Sequence, residues 1–501
     1  MAITGNVFGL LYSSFFFSPG AFFSWGLALS YNLVDYACVS ILMLFYGQED
    51  RQKHLTEVAI LISFHEGLAS LSAILFARIT DAYKGRFYAI LLSTSSYITG
   101  LAILWSYAYR ENQAKAVKSK TLNVPLFLLT SILLAMGKGA TDPLLKPFLS
   151  DQLIQHNSGL SQNEEKKTQT VICQNEWLQS ARYGAALISI FAFARKKWDQ
   201  VFAVSSIVMG ACLSLFIAGF TCYRSTDQHS QNIWVKLEHS NPETQESDGK
   251  VSHVKKMKAL LILSCISYNM VLAAGSTFFQ EQSDSEKMQS LRLNEKDVIR
   301  FSLVMVIKTF VAHITIFIFW LCGAKRQKIL LMRIGAGMVC AVICCIIAWK
   351  VEVERLSLAK DQRDIPKDYK KLMSVMWLCP QFVFLGLVEG LAQSGLDKLF
   401  ENESLSNLWR QSKELVSCLG RFMSIPCVLI FRSWFKNFQN NQSHLDRYYL
   451  MLAGLSSVFV CVYYFVAVAY AKIMSEDVEE ATAVQSATKD PDPIVTLKAM
   501  I

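Results

Sequence analysis

The chain has 501 residues, of which 52% are hydrophobic and 18% charged. A soluble globular chain carries about 25% charged residues, so this composition argues against a soluble fold. The formal charge of +9 does not point to nucleic acid, because Lys and Arg gather in short stretches between long apolar runs and read there as solvated membrane flanks.

Four of those runs are Val124 to Gly137, Val201 to Thr221, Ile334 to Trp349 and Met451 to Ala471. A hydrocarbon core about 30 Å thick needs roughly 20 apolar residues to cross as a helix. Backbone groups in lipid must bond within their own segment, so repeated spans imply a helical bundle. The pattern predicts about twelve helices, near 21–46, 56–78, 87–107, 124–146, 175–195, 201–222, 258–280, 299–322, 331–350, 373–397, 412–432 and 447–471. Pro143 and Pro380 fall in the fourth and tenth, where kinks are expected. Ser225 to Val254 is polar, as a solvated linker should be. The expected domains are a six-helix bundle at 1–224, a linker at 225–257, a second six-helix bundle at 258–472 and a polar tail at 473–501, disordered or interfacial. Two six-helix halves around a central site is the layout of many secondary transporters.

No Lys or Arg precedes Arg51, so no cleaved signal peptide is expected. The 13 Cys form no C-x-x-C pair and no metal spacing, and most read as small buried apolar residues. No metal, no cofactor and no enzyme chemistry is expected, since a phosphate-cradling G-x-x-x-x-G-K and a nucleophile elbow are both missing.

Ionisable residues inside spans are expensive, about 2.5–3.5 kcal/mol each at the bilayer centre, and so are the first candidates for function. In the second helix His65 and Glu66 precede Gly67. Glu66 is either a titrating group or a carboxylate satisfied inside the bundle. In the fourth helix Lys138, Asp142 and Lys146 lie at i, i+4 and i+8 and share one face. They are either a solute and coupling site or an intrahelical ion pair near the helix end. Lys308 and His313 occupy the eighth helix, where snorkelling and packing are the plain readings.

Several strings carry a resemblance. RIGAGM (Arg333 to Met338) followed by EVERL (Glu352 to Leu356), WLCPQFVFLGLVEG (Trp377 to Gly390), LDRYYLMLAGL (Leu445 to Leu455), DAYKGRF (Asp81 to Phe87), FIAGFTCYR (Phe216 to Arg224) and STFFQEQ (Ser276 to Gln282) resemble, in order, segments of the plant nitrate/peptide transporter family. That family is the plant branch of the proton-dependent oligopeptide transporters, within the major facilitator superfamily.

The resemblance implies a major facilitator fold, with the linker on the cytoplasmic side, and secondary transport of a small solute by alternating access. Nitrate, short peptides and plant metabolites fit it, and protons are the coupling ion to test. The partners would be that solute and the lipid bilayer, in a plasma or vacuolar membrane. The family's first-helix Glu-x-x-Glu-Arg set, which serves proton coupling, is replaced here by Ala28, Tyr31 and Asn32. Those side chains cannot exchange protons near neutral pH. At Asp142 the family carries a Lys linked to substrate and coupling. At Glu389 it carries a Glu that helps gate the cavity against a basic partner, with pairing to Lys413 as the plainer alternative. Leu272 stands where some members have a nitrate-binding His. Asp81, Lys84 and Arg86 would form a loop that braces two helices in one conformation. Two alternatives stay open, an uncoupled facilitator and a membrane receptor or scaffold that no longer transports.

Overall fold

The computed structural model describes residues 19–37, 55–82, 86–113, 124–149, 177–189, 198–223, 248–284, 295–321, 327–361, 375–400, 408–435 and 444–487, together with Leu42, Gln152 and Ala192. Among the described residues all regular structure is helical. The helices are α1 (Pro19–Ala37), α2 (Leu55–Ala82), α3 (Arg86–Gln113), α4 (Val124–Ala140), α5 (177–189) and α6 (Trp198–Ala218) in the first half. In the second half α7 runs in three pieces, Asp248–Ser264, Ile266–Ser276 and Phe278–Asp284. It is followed by α8 (Glu295–Leu321), α9 (Gln327–Asp361), α10 (Cys379–Val388 and Ser394–Leu399), α11 (Ser412–Ile430) and α12 (Leu445–Ala487). Every one of the expected spans meets a helix.

Seven of these helices are long and apolar enough to cross a membrane, and Val306–Phe319 of α8 is a shorter apolar stretch. The remainder miss that standard for visible reasons. α4 is interrupted, α11 carries Lys413, Glu414 and Arg421, and much of the first and fifth expected spans lies outside the described residues. α6, α9 and α12 turn large apolar side chains outward, among them Ile207, Leu215, Met332, Ile346, Val458 and Phe465. Apolar faces of that extent are not tolerated in water and suit lipid.

Two boundaries differ from expectation. α7 begins at Asp248, inside the expected linker, because the Lys-rich stretch ahead of the span favours helix and continues it beyond the apolar segment. α12 runs on to Ala487, so the first part of the polar tail is helical; its Glu- and Ala-rich sequence also favours helix.

The prolines act through different geometries. Pro143 sits in a π-turn, Thr141–Leu145, that continues α4. Its missing N–H and its ring against the preceding turn break the regular ladder there. Pro380 lies in the first turn of α10, where the ring fits and no internal hydrogen bond is lost. α10 still deforms, in a π-turn at Glu389–Gln393 that contains no proline.

Close helix crossings depend on glycine. A Cβ at Gly139 in α4 would overlap the Ser72 hydroxyl and the Ala69 carbonyl of α2. Neither is the free end of a flexible chain, so the helices must separate. Gly139→Ala is expected to cost about 1–3 kcal/mol, as overpacked cores do. A lower melting temperature of the purified protein in detergent checks this.

Candidate functional site

α1 packs on α6, α2 and α3 pack on α4, α8 and α9 pack on α10, and α9 packs on α12, all within one half. Between the halves the main described packing is α2 against α11. The two run antiparallel, with Phe64 beside Phe422 and the Ser70 and Ser417 hydroxyls 3.0 Å apart.

At the centre of that crossing Glu66 of α2 forms an ion pair with Arg421 of α11. The two side chains are only 15% and 13% exposed. Ser276, at the end of the second piece of α7, completes the cluster. Its hydroxyl lies 2.7 Å from Glu66 Oε2 and accepts from Arg421 Nη1 at 2.8 Å. The expected candidate Glu66 is therefore a charge that ties one half to the other.

Two further pairs lie near the seam, one in each half. Lys138 of α4 donates to Asp35 of α1 at 2.7 Å. Lys308 of α8 meets Glu389 of α10 at 3.1 Å. All four side chains are about a third exposed, unlike the Glu66 pair. The neighbours of Asp35 and Lys308 join the halves: Tyr36 donates to Thr309 Oγ1 at 3.0 Å. Tyr183 meets the His313 ring edge-on across the same seam, 5.4 Å between centroids.

These partners refine the expected set. Lys138 is held by a different helix, through Asp35. Glu389 takes Lys308, while Lys413 reaches Glu414 of its own helix at 3.6 Å. Asp142 lies in the π-turn of α4, and its side chain is outside the described residues; Lys146 is exposed just beyond.

Tyr31 and Asn32 do not join the seam. Tyr31 is buried within the first half, its hydroxyl 2.8 Å from Thr94 Oγ1 and its ring stacked on Tyr97. Asn32 bonds the Ala28 carbonyl of its own helix at 2.8 Å. His65 is buried against the Ser131 carbonyl, 3.1 Å from Nδ1, which makes it a packing residue of the first half. In the expected loop, Arg86 opens α3 and is half-buried, whereas Lys84 and the side chain of Asp81 lie outside the described residues.

Sequence reasoning missed Arg421 and Ser276. An Arg in an apolar helix is itself a signal, and Arg421 carries it. Ser276 has no such mark. Among the described residues no group of three or more metal-ligating side chains comes together.

No family model matches the chain. Individual relatives do. It is 27% identical over 481 residues to protein NRT1/PTR family 5.14 of Arabidopsis thaliana, covering 81% of this chain and 84% of the relative. Protein NRT1/PTR family 5.12 of the same plant is 24% identical, covering 89% and 92%. Among solved structures, the POT family transporter PepTSo superposes with a TM-score of 0.64 at 14% identity, covering 90% of this chain and 98% of that one. A POT family transporter in complex with 5-aminolevulinic acid gives 0.63 at 14% identity, covering 91% and 98%. The chain is thus similar over most of its length to NRT1/PTR family proteins of Arabidopsis thaliana, and it is an integral, multi-pass membrane protein with the helical fold of the POT family transporters.

Proposed function

We propose that the protein is a secondary membrane transporter that carries a small solute between its halves, 1–224 and 258–472, by alternating access. The observation that carries this reading is the pair of part-exposed ion pairs, Asp35–Lys138 and Glu389–Lys308, one in each half beside the seam. A buried structural pair would be sealed; these are reachable. Each can open to offer a cation to an anionic group and a carboxylate to a cationic one. A peptide, an organic acid or nitrate fits that chemistry, and the structural neighbours include POT family transporters. The plasma membrane and the vacuolar membrane both suit it.

Proton coupling through the family's first-helix acidic set has no chemical basis here, since Ala28, Tyr31 and Asn32 replace it, although Asp35 remains in that helix, paired with Lys138. Glu66, Asp142 and Glu389 are the carboxylates to neutralise first. A second reading, an uncoupled facilitator, rests on that same replacement.

Uptake of labelled nitrate, dipeptides and plant metabolites into oocytes expressing the chain tests both. Accumulation that rises at acid external pH supports a coupled carrier, and neutralising one of the three carboxylates should then flatten the pH response. Uptake indifferent to pH supports the facilitator. Surface protein that binds a solute without moving it would overturn transport in favour of a receptor.

A further inference from the structure

The two π-turns occupy corresponding helices of the two halves, α4 and α10. A π-turn inserts an extra residue per turn and leaves backbone groups without their regular partners. In α4 Pro143 accounts for it. In α10 the segment Glu389–Gln393 has no proline; Gly390 within it is permissive, and its carbonyl draws donors from outside the regular ladder, the Ser394 hydroxyl of the same helix among them.

Arg333 of α9 is another such donor. It is 3% exposed. Its Nη2 donates to the Gly390 carbonyl at 2.6 Å and also to the Ser394 hydroxyl, and its guanidinium lies 4.5 Å from the centroid of the Phe319 ring. Among the described residues it makes no salt bridge, so a buried charge is given to the Gly390 carbonyl and the Ser394 hydroxyl at one turn. Hydrogen bonds to a charged donor are worth about 1.5–3 kcal/mol, enough to favour a π-turn over a regular one. The surroundings leave α10 little room to relax. A Cβ on Gly337 of α9 would sit 2.5 Å from Ala392 N, one on Gly390 would sit 2.8 Å from Thr315 Cβ of α8, and one on Gly386 would sit 2.5 Å from the Lys308 carbonyl.

Glu389 is the first residue of that turn. Rotation of a helix by one extra residue turns the side chains that flank it through a large angle. We infer that Arg333 is a positioning residue: by holding the Gly390 carbonyl it fixes the π-turn of α10 and so aims Glu389 at Lys308 beside the seam. The functional weight of this rests on Glu389 being a seam residue of the proposed transporter; the positioning itself does not.

The test needs no solute. In a background with the native cysteines replaced, Lys308→Cys with Glu389→Cys reports the aim of the turn through its rate of reaction with a short bifunctional thiol reagent. Gln327→Cys with Tyr470→Cys, on the opposite flank of α9, reports the integrity of the same half. R333M is expected to slow the first reaction roughly tenfold, as loss of one charged hydrogen bond predicts, and to leave the second unchanged. R333K, which keeps the charge on a single donor nitrogen, should fall between and serves if R333M does not fold. Equal slowing of both pairs would mean general loosening and would overturn the proposal, as would no change in either. If the pairs respond as expected while the wild-type chain moves no solute, the transporter reading fails and the positioning stands.

Discussion

Neutralising Glu66 as E66Q is expected to release α2 from α11. The substitution leaves the Arg421 guanidinium in a site where both side chains are largely buried, with only Ser276 as a described partner. Removing one member of a buried pair costs about 3–5 kcal/mol, because the other charge stays desolvated. Here the protein has an escape: separating the two halves rehydrates Arg421. A difference of that size moves a two-state equilibrium by about two to four orders of magnitude. Cross-linking of Ser70→Cys to Ser417→Cys, whose hydroxyls lie 3.0 Å apart in the native chain, reads that equilibrium directly. E66Q should suppress the cross-link, and the double neutral E66Q/R421Q should recover much of it. If E66Q cross-links as the native chain does, the pair does not hold the halves together.

The same argument gives a sign for pH. A proton on Glu66 removes the negative charge and resembles E66Q. The α2–α11 contact should therefore weaken as pH falls, and in E66Q it should no longer respond. Acid-labile contact in the native chain with none in E66Q would place a proton site on the seam, away from the first helix. Contact equally sensitive in both would assign the response to another group.

The fold was legible because lipid imposes a simple rule, and twelve apolar stretches with one polar break satisfy it. The site was legible only in part. Glu66, Lys138 and Glu389 declared themselves as charges inside spans, and all three lie at or beside the seam. Their pairings did not, because partnership is set by how helices rotate and cross. Asp35 and Lys138 are more than a hundred residues apart, and Lys308 looked like a snorkelling chain. The α10 π-turn was invisible for a related reason. Glu389–Gln393 holds no proline, only a permissive Gly390; the proposed hold on the turn sits on α9, at Arg333. Helix ends failed at α7 and α12 because helix propensity continues past the point where apolarity stops.

Unpairing Glu352 and Arg355 is expected to cost the folded state itself. Both lie on α9 and are fully buried, at 0% and 1% exposure, and they form an i,i+3 ion pair. Arg355 Nε donates to Glu352 Oε2 at 2.8 Å. Gln282, from the last piece of α7, donates to the same oxygen at 2.8 Å, and Gln381 of α10 reaches Gln282 at 3.3 Å. The cluster therefore ties three helices of one half, and unlike the Glu66 pair it has no seam that can open to admit water. E352Q or R355M should lose about 3–5 kcal/mol, seen as a much lower melting temperature in detergent and little protein at the cell surface. A double change to apolar residues of similar size, E352L/R355M, removes both charges and should be milder than either single. Singles that melt like the native chain would show the pair to be idle. A double worse than the sum of the singles would mean that the hydrogen bonds to Gln282, more than charge balance, hold α7 and α9 together.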